Sequence, residues 1–291
     1  MKIVNSKYCE GIWFNYFAST SFLEKDLGLW RADGVLEVLE ARRKNNVTVL
    51  FSWDEHYERF VKSCNGHIPL EDLPPEADIK GKVNGLLITN KFSSALVHIL
   101  ATPGYSEDLK KVCGPPTLVV DVGPLVDPIF KPLKLRTVGA RRFFPSLKLV
   151  SGYGYARRFQ AIAERDGFDS FLYSDIFDGI LEGPYENLFV VTKAGSLMTP
   201  AHGMLPGITR KVLLRLAKDS GLFKEVLEKQ INISTLTDCR EAFLSSTTKG
   251  AMPIYEINGV KFEAETDNLT HKLRELFINY RENYYMEHGA G

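Results

Sequence analysis

A chain of 291 residues is long enough for two domains of ordinary size, each with its own core. With 44% hydrophobic and 25% charged residues it has a globular composition, which excludes disordered, collagen-like and coiled-coil classes. Its 36 basic residues balance its 36 acidic ones, so no global field draws it to nucleic acid or to an anionic membrane.

Cys9, Cys64, Cys113 and Cys239 lie far apart and form no CxxC pair. That argues against a metal site or a disulfide framework and for reduced thiols. The first residues hold no apolar segment of signal-peptide length, and nowhere do about 18 apolar residues run uninterrupted. A cytoplasmic protein that does not span a membrane is expected.

In chain order, Ile12–Phe17 reads as a strand and tight turn. Residues 34–41 read as a helix start or a strand, leading into a turn at Asn45-Asn46. Val47–Phe51 is a β-branched strand, and 53–63 a helix with Trp53, Tyr57, Phe60 and Val61 at helical spacing. Residues 66–83 stay open between loop and a short helix broken by Pro74-Pro75. Ser94–Leu100 and Thr117–Val122 read as strands.

Three prolines fall within Gly123–Pro132, which disfavours both helix and central strand. This segment is taken as a linker (123–132) between a small N-terminal domain (1–122) and a larger C-terminal domain (133–291). Beyond it come a strand at 133–138 and a helix over 152–165 with Tyr155, Phe159, Ile162 and Ala163 on one side, ended by Gly167. Short antiparallel strands turn at Asp178-Gly179 and Ala194-Gly195. A helix over 209–220 puts Val212, Leu213 and Leu216 inward and closes at Gly221, and after two further strands a final helix starts near Thr270. The class is α+β, with two domains.

Several residues carry chemistry. In Leu205-Pro-Gly-Ile-Thr-Arg210 a glycine turn opens a helix, so the amides of Ile208 and Thr209 and the positive helix end face one point, a geometry that suits phosphate. A plain Thr-capped helix fits the same letters. Ser245-Ser-Thr-Thr248 offers hydroxyls and amides for an anion, or is a polar loop. Lys148, between two leucines, has the setting of a Schiff-base amine or is a solvated lysine. Glu182, before Gly183-Pro184, suits a protonated heterocyclic nitrogen or is a strand-end charge. Arg59 suits a bidentate phosphate contact or a salt bridge.

Taken together, the segments Asp33-Gly-Val-Leu-Glu37, Asp54-Glu-His-Tyr-Glu-Arg59-Phe, Glu182-Gly-Pro-Tyr-Glu-Asn-Leu-Phe and Leu205-Pro-Gly-Ile-Thr-Arg210 occur in the order seen in a known family. Lys148 precedes Glu182 by 34 residues, as in bacterial branched-chain enzymes. Over nearly its whole length the chain resembles the fold-type IV pyridoxal-phosphate enzymes: branched-chain aminotransferases, D-amino-acid aminotransferases and aminodeoxychorismate lyases.

The resemblance implies Lys148 as the Schiff-base lysine and Glu182 as partner of the pyridine nitrogen. It puts Tyr153 against the cofactor's 3-oxygen, and Arg59, the Ile208 and Thr209 amides and Thr247 on the phosphate. The Thr248 amide would face the substrate carboxylate. It further implies pyridoxal 5'-phosphate as cofactor, an amino donor with a 2-oxo acid acceptor as substrates, and a homodimer. Three functions follow in order: aminotransferase on branched-chain-like or D-amino acids, lyase releasing pyruvate and 4-aminobenzoate from aminodeoxychorismate, and non-catalytic binding scaffold. The chain departs from the family in having no arginine between Arg59 and Arg136, where a carboxylate clamp is usual, so Arg31, Arg42, Arg141 and His98 stand as substitutes. Tyr185-Glu186 also replaces smaller residues.

Overall fold

The computed structural model describes residues 4–9, 12–17, 25–126 and 129–289. They form two compact units. The first contains the chain up to Val126, the strap Leu147–Ser151 and the end from Asn283; the second contains Asp127–Ser146 and Gly152–Glu282.

The elements of the first part of the chain are β1 (Val4–Cys9), β2 (Ile12–Phe17), α1 (Leu27–Arg31), β3 (Val35–Lys44), β4 (Val47–Leu50), α2 (Trp53–Cys64), a single 3-10 turn at Leu70–Asp72, α3 (Glu76–Asn90), β5 (Ser94–Thr102) and β6 (Thr117–Pro124). The strands make one antiparallel sheet in the order β2-β1-β6-β5-β3-β4. Of residues 34–41, Val35 onward are strand, not helix. Asn45 and Asn46, both with positive φ, make the tight reversal to β4, a conformation that asparagine tolerates better than most residues. Residues 66–83, open in sequence, contain the start of α3: Pro75 sits at its N-cap, so the Pro74-Pro75 pair precedes the helix instead of breaking it. One face of the sheet, with Val35, Leu39, Val97, Leu118 and Val120, packs on Phe60, Ile79, Val83 and Leu87 of the two longer helices.

The second part contains β7 (Leu133–Gly139), α4 (Ser151–Arg165), β8 (Ser170–Asp175), β9 (Gly179–Ile180), β10 (Asn187–Thr192), β11 (Leu197–Thr199), α5 (Ile208–Ser220), β12 (Val226–Glu228), α6 (Ile233–Leu236), β13 (Cys239–Ser246), β14 (Gly250–Ile257), β15 (Val260–Lys261) and α7 (Leu269–His288). Its sheet runs β12-β11-β10-β13-β14-β7-β8-β9, with β15 beside β14, and is mixed: β11/β12, β14/β7 and β7/β8 are parallel. On β10 and β13, Leu188, Val190 and Leu244 enter one core cluster. Phe189 and Phe243, directly opposite each other on the alternate face, stack with ring centroids 4.8 Å apart. Helix α5 buries Val212, Leu213, Leu214 and Ala217 and ends at Gly221 in the left-handed conformation. The buried Glu241 carboxylate accepts the Leu269 and Thr270 amides, which caps the start of α7.

Helix α4 follows its sequence pattern in part: Ala163 is buried and Phe159 packs against the same cluster, as expected. Tyr155 and Ile162 are exposed, and the buried residues are Ala156 and Ala163, packed with Phe171, Tyr173 and Leu181. The inward face therefore centres on small side chains and is rotated away from Tyr155 and Ile162. None of the described helices is long and apolar enough to cross a membrane. Enlarging either alanine tests the rotated face: Ala163→Leu should cost about 1–3 kcal/mol of unfolding free energy. Ile162→Ser should stay within about 0.5 kcal/mol. Urea denaturation measures both.

Candidate active site

In the first unit the organising group is Glu37. Its position in β3 puts it on the core side of the sheet with Val35 and Leu39, and it is 1% exposed. A carboxylate there must be compensated. Arg59 donates from Nε and Nη2 to the two carboxylate oxygens, both at 2.8 Å, and His56 Nδ1 lies 2.9 Å from Oε2. Burial pushes the Glu37 pKa up, but the hydrogen bonds and charge of Arg59, then those of His56, outweigh it and bring it down to about 2. Burial lowers the His56 pKa while Glu37 acts to raise it, and the ring donates its Nδ1–H to the carboxylate.

His56, Arg59 and Ser63 form a buried polar stripe along α2 at a spacing of three and then four residues. Ser63 Oγ donates to the Arg59 carbonyl (2.8 Å) and accepts the Lys148 amide (3.1 Å). On the other side of the strap, the Lys148 carbonyl accepts the Leu36 amide at 3.0 Å and the Val150 amide donates to Gly34 at 2.9 Å. Leu149 packs on the core, so the strap's alternation carries the half-buried Lys148 side chain away from it. The Lys148 charge nonetheless reaches His56 and contributes to its lowered pKa. Lys148 and Arg59 are thereby brought together around one network.

In the second unit the organising segment is Glu182–Asn187. Glu182 is 2% exposed and forms an ion pair with Arg142 (Nε to Oε1, 3.1 Å), and its Oε2 accepts the Leu205 amide at 3.1 Å. Arg142 also donates to the Pro184 carbonyl and lies over the Tyr153 ring, 5.1 Å from its centre. Burial lowers the Arg142 pKa, but Glu182 and Tyr153 reverse this, so its charge is secure. Tyr153 stacks on Tyr185 at 5.6 Å with planes 9° apart.

Asn187 Nδ2 donates to the Leu205 carbonyl at 2.8 Å, and its Oδ1 lies where a Cβ on Gly207 would fall. Gly207 is the N-cap of α5 and no side chain caps the helix there, so the first-turn amides of Ile208 and Thr209 carry no N-cap side-chain acceptor. Thr247 and Thr248 lie in the turn between β13 and β14, and the neighbouring Lys249 pairs with the buried Glu186. Tyr153 and Glu182 are thus tied to this segment directly, and Ile208, Thr209, Thr247 and Thr248 lie next in sequence to residues that meet it, Gly207 and Lys249. Arg210 serves the packing of the fold instead, donating to Thr199 Oγ1, the Pro200 carbonyl and Glu228 and so fastening α5 to its sheet.

Among residues with no role from sequence, Arg142, Glu186 and Lys249 have partners tens of residues away, which no local pattern reveals. His56 and Ser63 were detectable as polar positions on an otherwise apolar helical face. The four substitute carboxylate readers are engaged within their own units. Arg31 donates to the Leu109 carbonyl, Arg42 to Glu40, Arg141 to Asp178, and His98 lies 3.1 Å from Asp121.

The sequence profile of the amino-transferases of class IV matches residues 34–257. A putative branched-chain-amino-acid aminotransferase of Methanocaldococcus jannaschii is 30% identical over 275 residues, 89% of this chain and 91% of the relative. D-alanine aminotransferase of Bacillus licheniformis is 29% identical over 248 residues, covering 81% and 82% of the two chains. The branched-chain amino acid aminotransferase of T.th., solved with N-(5'-phosphopyridoxyl)-L-glutamate, shares the fold with a TM-score of 0.83 at 21% identity, over 99% of this chain and 97% of that one. The chain belongs to the class IV aminotransferase family. The enzyme class expected from sequence, a pyridoxal-phosphate-dependent transaminase of class IV, holds.

Glu37→Gln keeps the shape and removes the charge that balances Arg59, at a cost of about 3 kcal/mol in unfolding free energy at neutral pH. The Glu37 pKa is lowered on folding from its ordinary 4.5 to about 2. The wild-type advantage is therefore complete above about pH 4.5 and fades as pH falls toward about 2. Denaturation at a series of pH values, with the two curves converging in acid, checks this.

Proposed function

We propose that the chain transfers an amino group between an amino acid and a 2-oxo acid with pyridoxal 5'-phosphate as cofactor. The reading is carried by one observation in the second unit. A buried carboxylate, Glu182, and a helix start without a side-chain cap, at Gly207–Thr209, are tied together through Leu205 and Asn187. A phosphorylated pyridine needs such a pair: a carboxylate for its ring nitrogen and amides for its phosphate. The cradle fits, because any side chain at Gly207 would meet Asn187 and close it.

When bound, the cofactor supplies an electron sink for the charge left at the substrate Cα. Glu182, paired with Arg142, would face the ring nitrogen and favour its protonated form. Lys148 would hold the cofactor through Nζ, and its free amine would take the Cα proton as general base. Arg59, Thr247 and the amides of Ile208 and Thr209 hold the phosphate, Tyr153 holds the 3-oxygen, and the Thr248 amide receives the substrate carboxylate. The relatives' names supply the first donors to try, the branched-chain amino acids and D-alanine, and a homodimer in solution is part of the same proposal.

Adding pyridoxal phosphate to purified protein should produce the visible absorption of a lysine-bound ring, and Lys148→Ala should abolish both that band and turnover. Glu182→Gln should lower kcat about a hundredfold while cofactor affinity changes only a few-fold. Release of pyruvate and 4-aminobenzoate from aminodeoxychorismate without an acceptor would replace this reading with the lyase. Absence of the band in the wild type would end both.

A further inference from the structure

Between β13 and β14, four consecutive polar residues, Ser246, Thr247, Thr248 and Lys249, sit half-exposed before the buried Gly250 with its positive φ. Such a turn has no apolar side chain with which to hold its shape. One long-range tie to it is electrostatic: the Lys249 ammonium pairs with Glu186, 63 residues earlier in the chain.

The two partners are unequal. The Glu186 side chain is 3% exposed and that of Lys249 is 32% exposed. Most of the desolvation cost therefore falls on the carboxylate, which needs its cation more than the cation needs it. The carboxylate is also held from its own side, since Oε2 accepts the Tyr185 amide at 3.1 Å. A Cβ on Gly183 would come within 2.8 Å of that oxygen, so Gly183 leaves room for the side chain to fold back. Gly183 in turn donates its amide to the Glu186 carbonyl at 2.8 Å. Glu186 is thus fixed by its own loop before it meets Lys249.

Lys249 has two conceivable roles, attracting an anion directly or anchoring the turn, and charge separates them. Paired with a buried carboxylate, the ammonium has part of its field at the turn offset, so direct attraction is weakened. Anchoring requires the pairing. We propose that Glu186–Lys249 is a positioning pair that fixes the turn carrying Thr247 and Thr248, and so sets the affinity of the hydroxyls and amides of that turn for an anionic group. The class of ligand is a phosphomonoester or a carboxylate, and its assignment to the cofactor phosphate and substrate carboxylate rests on the function proposed above.

The two roles predict opposite signs. If Lys249 anchors, Glu186→Gln and Lys249→Met each loosen the turn and weaken binding of pyridoxal phosphate by about tenfold. The double variant is then no weaker than either single one, and Lys249→Arg, which restores the charge, recovers most of the affinity. If Lys249 attracts anions directly, Glu186→Gln unmasks its charge and binding tightens, which overturns the proposal. Hydrogen–deuterium exchange of residues 246–250 in the apoprotein supplies a readout that needs no cofactor: exchange should rise in Glu186→Gln and Lys249→Met and stay near wild type in Lys249→Arg. Unchanged exchange in the first two overturns the positioning role. A wild-type protein that takes up no pyridoxal phosphate sinks the proposed function instead, with exchange still deciding whether the pair holds the turn.

Discussion

A buried carboxylate has to be given a positive partner or a set of donors, and in the second unit this requirement recurs twice within five residues, at Glu182 and Glu186. Each compensating group comes from a different element. Arg142 arrives from the loop after β7, the Leu205 amide from the approach to α5, and Lys249 from the turn between β13 and β14. Asn187 adds a further tie to Leu205 and crowds Gly207. The segment from Glu182 to Asn187 is thereby a bracket whose charges determine where three other pieces of chain stand. Replacing those charges by apolar groups would not obviously cost stability, since buried pairs often break even against well-packed hydrophobic residues. What they supply is fixed position.

The first unit solves the same problem with one carboxylate. Glu37 occupies a core-facing position of β3 that alternation reserves for an apolar side chain, and Arg59 and His56 on α2 meet it there. The consequence extends to the strap, because Ser63, one turn beyond Arg59, holds the Lys148 amide while β3 holds its carbonyl. Lys148 thus has its backbone secured at two points before any ligand is considered. In both units, polar groups are placed inside at an energetic cost and repeatedly cross-tied, a pattern that belongs to positioning of chemistry more than to packing.

How much of this could be read from the letters follows from range. Helix ends are local, so Gly221, the start of α5 and the Asn45-Asn46 turn were legible. Strand 35–44 was ambiguous because its buried Glu37 and Glu40 interrupt the alternation that marks a half-buried strand. Helix α4 was legible and its inward face in part: Phe159 and Ala163 pack inward as expected, whereas Tyr155 and Ile162 are exposed and Ala156 is buried instead. The residues proposed for the site stood out by motif. Their partners did not, since Arg142 reaches the carbonyl of Pro184 across 42 positions, Ser63 holds Lys148 across 85, and Glu186 meets Lys249 across 63. A single sequence carries no signal for pairings at that separation.

The same charge accounting bears on substrate recognition. A carboxylate reader of the familiar kind is a cation with donors to offer, yet Arg42, Arg141 and His98 each lie against an acidic side chain in their own unit. In the proposed reading, the burden of holding the substrate carboxylate then falls on neutral donors, above all the Thr248 amide. Neutral donors gain strength from a fixed geometry and a low local dielectric, and they lose it when the backbone can move. A turn of four half-exposed polar residues is a poor platform for such donors unless something outside it holds it still. In the same reading, the pairing of the buried Glu186 with Lys249 provides that hold.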